Sequence, residues 1–170
     1  MAEQGDDSTI EHASGRFEAS LSSLAEEDRR LLKAFVLVSI FTLGLGVLYA
    51  LLLVLVKGGF LSLESTLAYT ILTLHGTTVF YYWLYFVQVA VVMVFVLLYT
   101  DGVDELVWRN LAWAGFGLMS AGFLIDQIAP WMGAVITYTG LAPLSDGMPG
   151  ADWFYVGYVL LGLGLLCVSI

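Results

Sequence analysis

Residues 31–56 form one apolar run whose only charge is Lys33, near its start. About 20 residues of helix, at 1.5 Å rise each, cross a hydrocarbon core of about 30 Å. The run is therefore long enough to span a bilayer. Three more apolar runs follow, at about 67–99, 107–128 and 153–170. The first closes at Lys57-Gly58-Gly59 and the second at Thr100-Asp101-Gly102, while the third stops before Pro130, which cannot donate a helix hydrogen bond. The spacing predicts an all-α integral membrane protein with about four transmembrane helices. Composition agrees. Of the 170 residues, 59% are hydrophobic and 12% charged, against roughly 45–50% and 25% in soluble domains. These values exclude a disordered chain, a disulfide scaffold and an ordinary soluble globule.

Charge is concentrated at the front. Residues 1–30 hold Glu3, Asp6, Asp7, Glu11, Glu18, Glu26, Glu27 and Asp28 against Arg16, Arg29 and Arg30. No apolar stretch precedes Leu31, so this is not a secretory signal; it reads as a solvated acidic tail, disordered or with a short helix around Arg16–Glu27, of a kind that suits a salt-adapted protein. Arg16, Arg29, Arg30 and Lys33 precede the first run and Arg109 lies between the second and third, with only Lys57 on the other side. That bias puts the N-terminus in the cytoplasm of a multi-pass plasma-membrane protein. Trp131 and Trp153 bracket the long connection between the third and fourth runs and suit interfacial anchoring. The net charge of −9 argues against a nucleic-acid partner, because phosphate binding needs Lys/Arg patches. The single Cys167 forms no internal disulfide. Gly46/Ala50 and Gly117/Ala121 are small-xxx-small pairs that let helix backbones approach.

Phosphate-binding loops and Ser-His-Asp sets are absent from the sequence. His75 stands out, as an ionisable group inside a span. A neutral imidazole can ligate a metal through one ring nitrogen and donate its other N–H to a carbonyl. No neighbouring ligand completes a multi-residue metal site on this run, but an axially held haem needs only one ligand from each side. A structural histidine and a proton relay are the other readings. Gly76 leaves room for a flat macrocycle or a close helix. Tyr82, two turns from His75, would share its face and line the same pocket; the plainer reading of the surrounding aromatics is packing. Gln88 could cross-bond helices. Asp126 lies near the end of the third run, where a carboxylate is structural or reaches headgroup water, with proton release the minor option. Asp101, Asp104 and Glu105 read as a solvated turn.

Leu72-Thr73-Leu74-His75-Gly76 resembles the second-helix motif of haem–copper oxidase subunit I, most closely that of the B-class (ba-type) enzymes of bacteria and archaea. The likeness continues in Leu111-Ala112-Trp113-Ala114-Gly115-Phe116, in Thr137-Tyr138-Thr139, in Ala142-Pro143-Leu144 and in Trp153-Phe154-Tyr155-Val156-Gly157. It covers roughly residues 30–170, and His75-Gly76 is its one tight motif. The resemblance implies the first part of the family's twelve-helix bundle, with His75 as an axial ligand of the low-spin haem iron and Gly76 and Tyr82 beside that cofactor. The second haem and the copper are expected only in a full-length protein, since their ligands lie on later helices. It further implies a respiratory enzyme that reduces dioxygen and translocates protons. Its partners would be membrane lipid, other oxidase subunits and a cytochrome c or small copper protein as electron donor. The segment Thr100–Glu105 lacks the Asn-Pro of A-class enzymes, so no proton channel is assigned to Asp101 or Asp104. A nitric oxide reductase of the same superfamily is one alternative; a non-enzymatic four-span module with a structural His75 is the other. The fourth run ends at Val168-Ser169-Ile170 without flanking charge, from which the chain is expected to be the front of a longer protein.

Overall fold

The computed structural model describes residues 24–99, 106, 108–136 and 147–170. The acidic tail up to residue 23, the turn at Thr100-Asp101-Gly102 with Asp104 and Glu105, and the loop at 137–146 lie outside the described residues. The described residues form helices α1 (Glu26–Lys57), α2 (Ser65–Thr77), α3 (Leu84–Tyr99), α4 (Arg109–Ile128) and α5 (Ala151–Ser169), and no strand occurs among them. A π-helical segment, Thr78–Trp83, joins α2 to α3, so the three form one second span. Four helical stretches, Glu26–Lys57, Ser65–Leu97, Arg109–Met132 and Ala151–Ser169, are long and apolar enough to cross a membrane. Large apolar side chains face outward along α1, among them Leu37, Ile40, Phe41, Val47, Leu48 and Val54. Lipid is the medium that makes such a surface stable.

The first helix begins earlier than the apolar run. Glu26, Glu27 and Asp28 occupy its first turn, where acids complement the positive end of the helix dipole, and Lys57 occupies the last turn. The chain then turns at Gly59, whose φ of 75° is open to glycine and costly for other residues. The tail reading is therefore corrected from Glu26 on, and most sharply at Asp28. This carboxylate is fully buried. It accepts hydrogen bonds from Arg109 Nε at 2.6 Å, from Arg109 Nη2 at 3.2 Å and from the Leu106 backbone N–H at 3.0 Å. Asp28 thus fastens the start of α1 to the start of α4. Pro130 acts as expected: α4 ends at Ile128 and gives way to a 3₁₀ turn, Ala129–Met132.

Besides polar bonds, aromatic and glycine contacts hold the spans together. Phe35 of α1, Phe86 of α3 and Phe116 of α4 meet with ring centroids 5.0–6.1 Å apart, and Phe116 meets the other two edge-on, which adds aromatic attraction to their packing. Helices α4 and α5 meet through glycine. A Cβ on Gly122 would lie 2.6 Å from the Gly157 carbonyl oxygen, and one on Gly115 would lie 2.7 Å from the Gly164 carbonyl oxygen. Seven residues forward on α4 correspond to seven back on α5, as antiparallel helices require. The expected pair Gly117/Ala121 does not make this contact: Gly117 is exposed and a Cβ there meets open space. The stripe actually used is Gly115/Gly122. Gly46, by contrast, is buried in a close approach, where a Cβ would lie 2.5 Å from Val79 Cγ2.

Candidate functional site

Polar side chains converge where the second span crosses the others. α2 is rich in threonine, and Thr70 and Thr77 donate to backbone oxygens one turn back: Thr70 Oγ1 to Thr66 O at 3.0 Å, Thr77 Oγ1 to Thr73 O at 2.9 Å and to Leu74 O at 3.2 Å. Such back-bonding competes for helix carbonyls and favours local departures from α geometry. The π segment starts at the next residue, Thr78. Single π turns inside helices are frequent at functional sites.

His75 sits one turn before this segment and is half-buried. Its Nδ1 lies 2.9 Å from the carbonyl oxygen of Gly46 on α1. A carbonyl can only accept, so Nδ1 carries the proton and donates. In the neutral ring Nε2 then bears the lone pair, and it makes no hydrogen bond among the described residues. Gly46 permits this contact because a side chain there would collide with Val79. Gly76 is buried.

Tyr82 makes its polar contacts with elements other than the one His75 bonds. The π segment turns less per residue than an α-helix, so seven residues on no longer means the same face. Tyr82 points instead into the bundle, fully buried. Its hydroxyl donates to Asp126 Oδ2 of α4 at 2.6 Å and approaches the Gly157 carbonyl of α5 at 3.4 Å. Its ring packs edge-on against Phe123 at 5.2 Å. The structure thus brings His75 to α1 and Tyr82 to α4 and α5.

Asp126 is the residue that sequence reasoning undervalued. It does not reach headgroup water: the residue is fully buried, and Oδ1 is buried with no hydrogen-bond partner. Gly157 makes space for the carboxyl, since a Cβ there would strike Oδ1. The next residue, Gln127, takes the cross-linking role expected of Gln88, which is exposed. Gln127 Oε1 accepts from the Tyr49 hydroxyl of α1 at 3.0 Å, and its Nε2 donates to Thr78 Oγ1 at 2.9 Å. One polar layer therefore ties α1, the second span, α4 and α5. A carboxyl near a span's end with tyrosines on the preceding span was the available signal; pairing Asp126 with Tyr82 needed the fold.

Among the described residues no three or more His, Cys, Asp or Glu side chains gather as a metal site would require. Among the described residues, His75 alone offers a ring nitrogen of the kind a single axial position takes. Comparisons with protein-family models, with curated proteins and with solved structures found no match.

Proposed function

We propose that this membrane chain serves in the catalytic subunit of a respiratory haem–copper oxidase, with His75 as an axial ligand of a low-spin haem. The observation that carries the reading is the Nδ1–H bond to the Gly46 carbonyl. Ligating histidines almost always donate their other ring N–H to such an acceptor, which fixes the tautomer and makes the free nitrogen a better donor. Here that acceptor is a backbone carbonyl of the neighbouring span, so the ring is aimed by the fold. A haem bound there would supply electron transfer. The chain's own part is to hold and orient the imidazole with Nε2 free of other hydrogen bonds among the described residues. Other ligands of an oxidase centre are not among these residues. The resemblance around Leu72–Gly76 narrows the reading from a haem protein to the oxidase, with an N-terminus in the cytoplasm and electrons from a cytochrome c or small copper protein.

The same hydrogen bond suits a structural histidine in a non-enzymatic membrane module, and one experiment separates the two. Haem is added to the purified chain in lipid, and reduced-minus-oxidised spectra are recorded for wild type and His75→Ala. A haem signal lost in His75→Ala supports the ligand. Absence of haem binding by the wild type, or a signal unchanged by the substitution, overturns it and leaves the module. Thiol labelling from either side at Ser8→Cys and Ser145→Cys tests the topology. An impermeant reagent that reaches position 8 in intact cells overturns the cytoplasmic N-terminus.

A further inference from the structure

We propose that Asp126 and Tyr82 form an exchangeable proton-binding site inside the membrane, separate from His75. Three observations carry it. First, Asp126 is fully buried and its Oδ1 has no partner. Gly157 lies six residues into α5, so the carboxyl beside it sits about 9 Å below that helix end at 1.5 Å per residue. Second, no cation offsets its charge: no ion pair reaches Asp126 among the described residues. The titratable groups that reach it are phenols, Tyr82 from the second span and Tyr158 from α5, with Tyr81 and Tyr155 next to Tyr158 and Tyr49 of α1 linked through the neighbouring Gln127. An ionised carboxylate without a counter-ion is costly in an apolar interior, so the resting group carries a proton. Third, the site is built to tolerate the proton's loss. The Tyr82 hydroxyl, 2.6 Å from Oδ2, is an uncharged donor held in place by burial and by Phe123, and donors to ionised groups form the stronger class of hydrogen bond.

The step is a plain acid dissociation. The O–H bond on Asp126 breaks, its electron pair stays on the carboxylate, and the proton passes to water at the end of the bundle where the Ala129–Met132 turn and Gly150 lie. Nothing is oxidised or reduced. Asp126 then holds one negative charge, supported by the Tyr82 hydroxyl, until a proton returns. Its partners are distinct from those of His75, so the site stands whether or not the histidine holds haem.

Infrared spectroscopy of the full chain in lipid tests this. The carbonyl stretch of a protonated carboxylic acid is resolved from the amide bands. At neutral pH we expect one such band from wild type, absent in Asp126→Asn, displaced in Tyr82→Phe, and shifted when H₂O is exchanged for D₂O. Should either variant fail to fold, wild type labelled with ¹³C at the aspartate carboxyl carries the same test through the isotope shift and the D₂O shift. Absence of the band, its survival in Asp126→Asn, lack of an isotope shift, or insensitivity to D₂O overturns the proposal; the last would mark a sealed structural proton.

Discussion

Spans three and four meet through missing side chains, whereas spans one and two meet through polar ones that reach across. Between α4 and α5, Gly115, Gly122, Gly157 and Gly164 let backbone approach backbone, with no room for even a methyl group at Gly122 or Gly115. Between α1 and the second span, His75 bonds a carbonyl and Tyr49 works through Gln127 to Thr78. In lipid, where apolar burial gives no net drive between helices, both solutions are available. They fail differently. A glycine seam is steric and tolerates almost no addition. A polar seam loses individual bonds, each worth little in membranes, and survives.

The largest effect is expected from Gly122→Leu. The new side chain meets the Gly157 carbonyl oxygen and Leu160 Cβ, both on α5, and neither can rotate away as a flexible side-chain tip would. The helices must part, at a cost of about 3 kcal/mol, the upper range for overpacking. Unfolding in mixed micelles, followed by tryptophan fluorescence, would measure it. Gly117→Leu is the control and should cost under about 0.5 kcal/mol, as surface substitutions do; equal losses at 117 and 122 would show that the seam is misplaced.

Next comes Asp28→Ala, which acts on neither seam but on the fastening between the two helix pairs. It removes the acceptor of two Arg109 hydrogen bonds and of the Leu106 N–H together. Breaking one side of a buried pair costs about 3–5 kcal/mol. Arg109 keeps about a quarter of its side chain exposed, so about 2 kcal/mol is expected here. Asp28→Asn should recover part of that by accepting from one donor. A loss below that of Gly117→Leu would mean the fastening is ornamental.

These two sites also show what could be read before folding. The four apolar runs were legible because lipid imposes a length and a composition on every span. His75 was legible because an ionisable group is rare there. Asp28 was read as part of a solvated tail, since its partners lie 78 and 81 residues away and no local pattern points to them. Several spacings put small residues on one face of α4, Gly117/Ala121 among them, and only the partner helix selects Gly115/Gly122. An ideal 3.6-residue period puts Tyr82 on the face of His75, and the π segment at Thr78–Trp83 departs from that period. Each miss lies at a tertiary contact or a departure from regular helix, where sequence distance stops measuring spatial distance.

Within the polar seam, His75→Ala removes the bond to Gly46 and some packing. About 1 kcal/mol is expected, less than half the loss at Gly122. His75→Gln restores a donor of different reach and should recover little. A loss at His75 as large as that at Gly122 would erase the distinction between the two seams.

The smallest effect is expected from Tyr49→Phe, and it bears most directly on whether the polar seam is a network. The phenyl ring keeps the packing and loses only the hydroxyl that donates to Gln127 Oε1 at 3.0 Å. Hydrogen bonds between transmembrane helices average about 0.6 kcal/mol in double-mutant cycles, and that is the expected loss. Gln127 holds Tyr49 with one end of its amide and Thr78 with the other, so each bond orients the group that makes the second. Removing either should therefore loosen the remaining one. In a cycle of Tyr49→Phe and Thr78→Val, the double variant should lose less than the sum of the singles, by a few tenths of a kcal/mol or more, as contacting residues usually do. Strict additivity would show two independent bonds on one side chain. The polar seam would then be a set of separate bonds, His75 to Gly46 among them, and not a network.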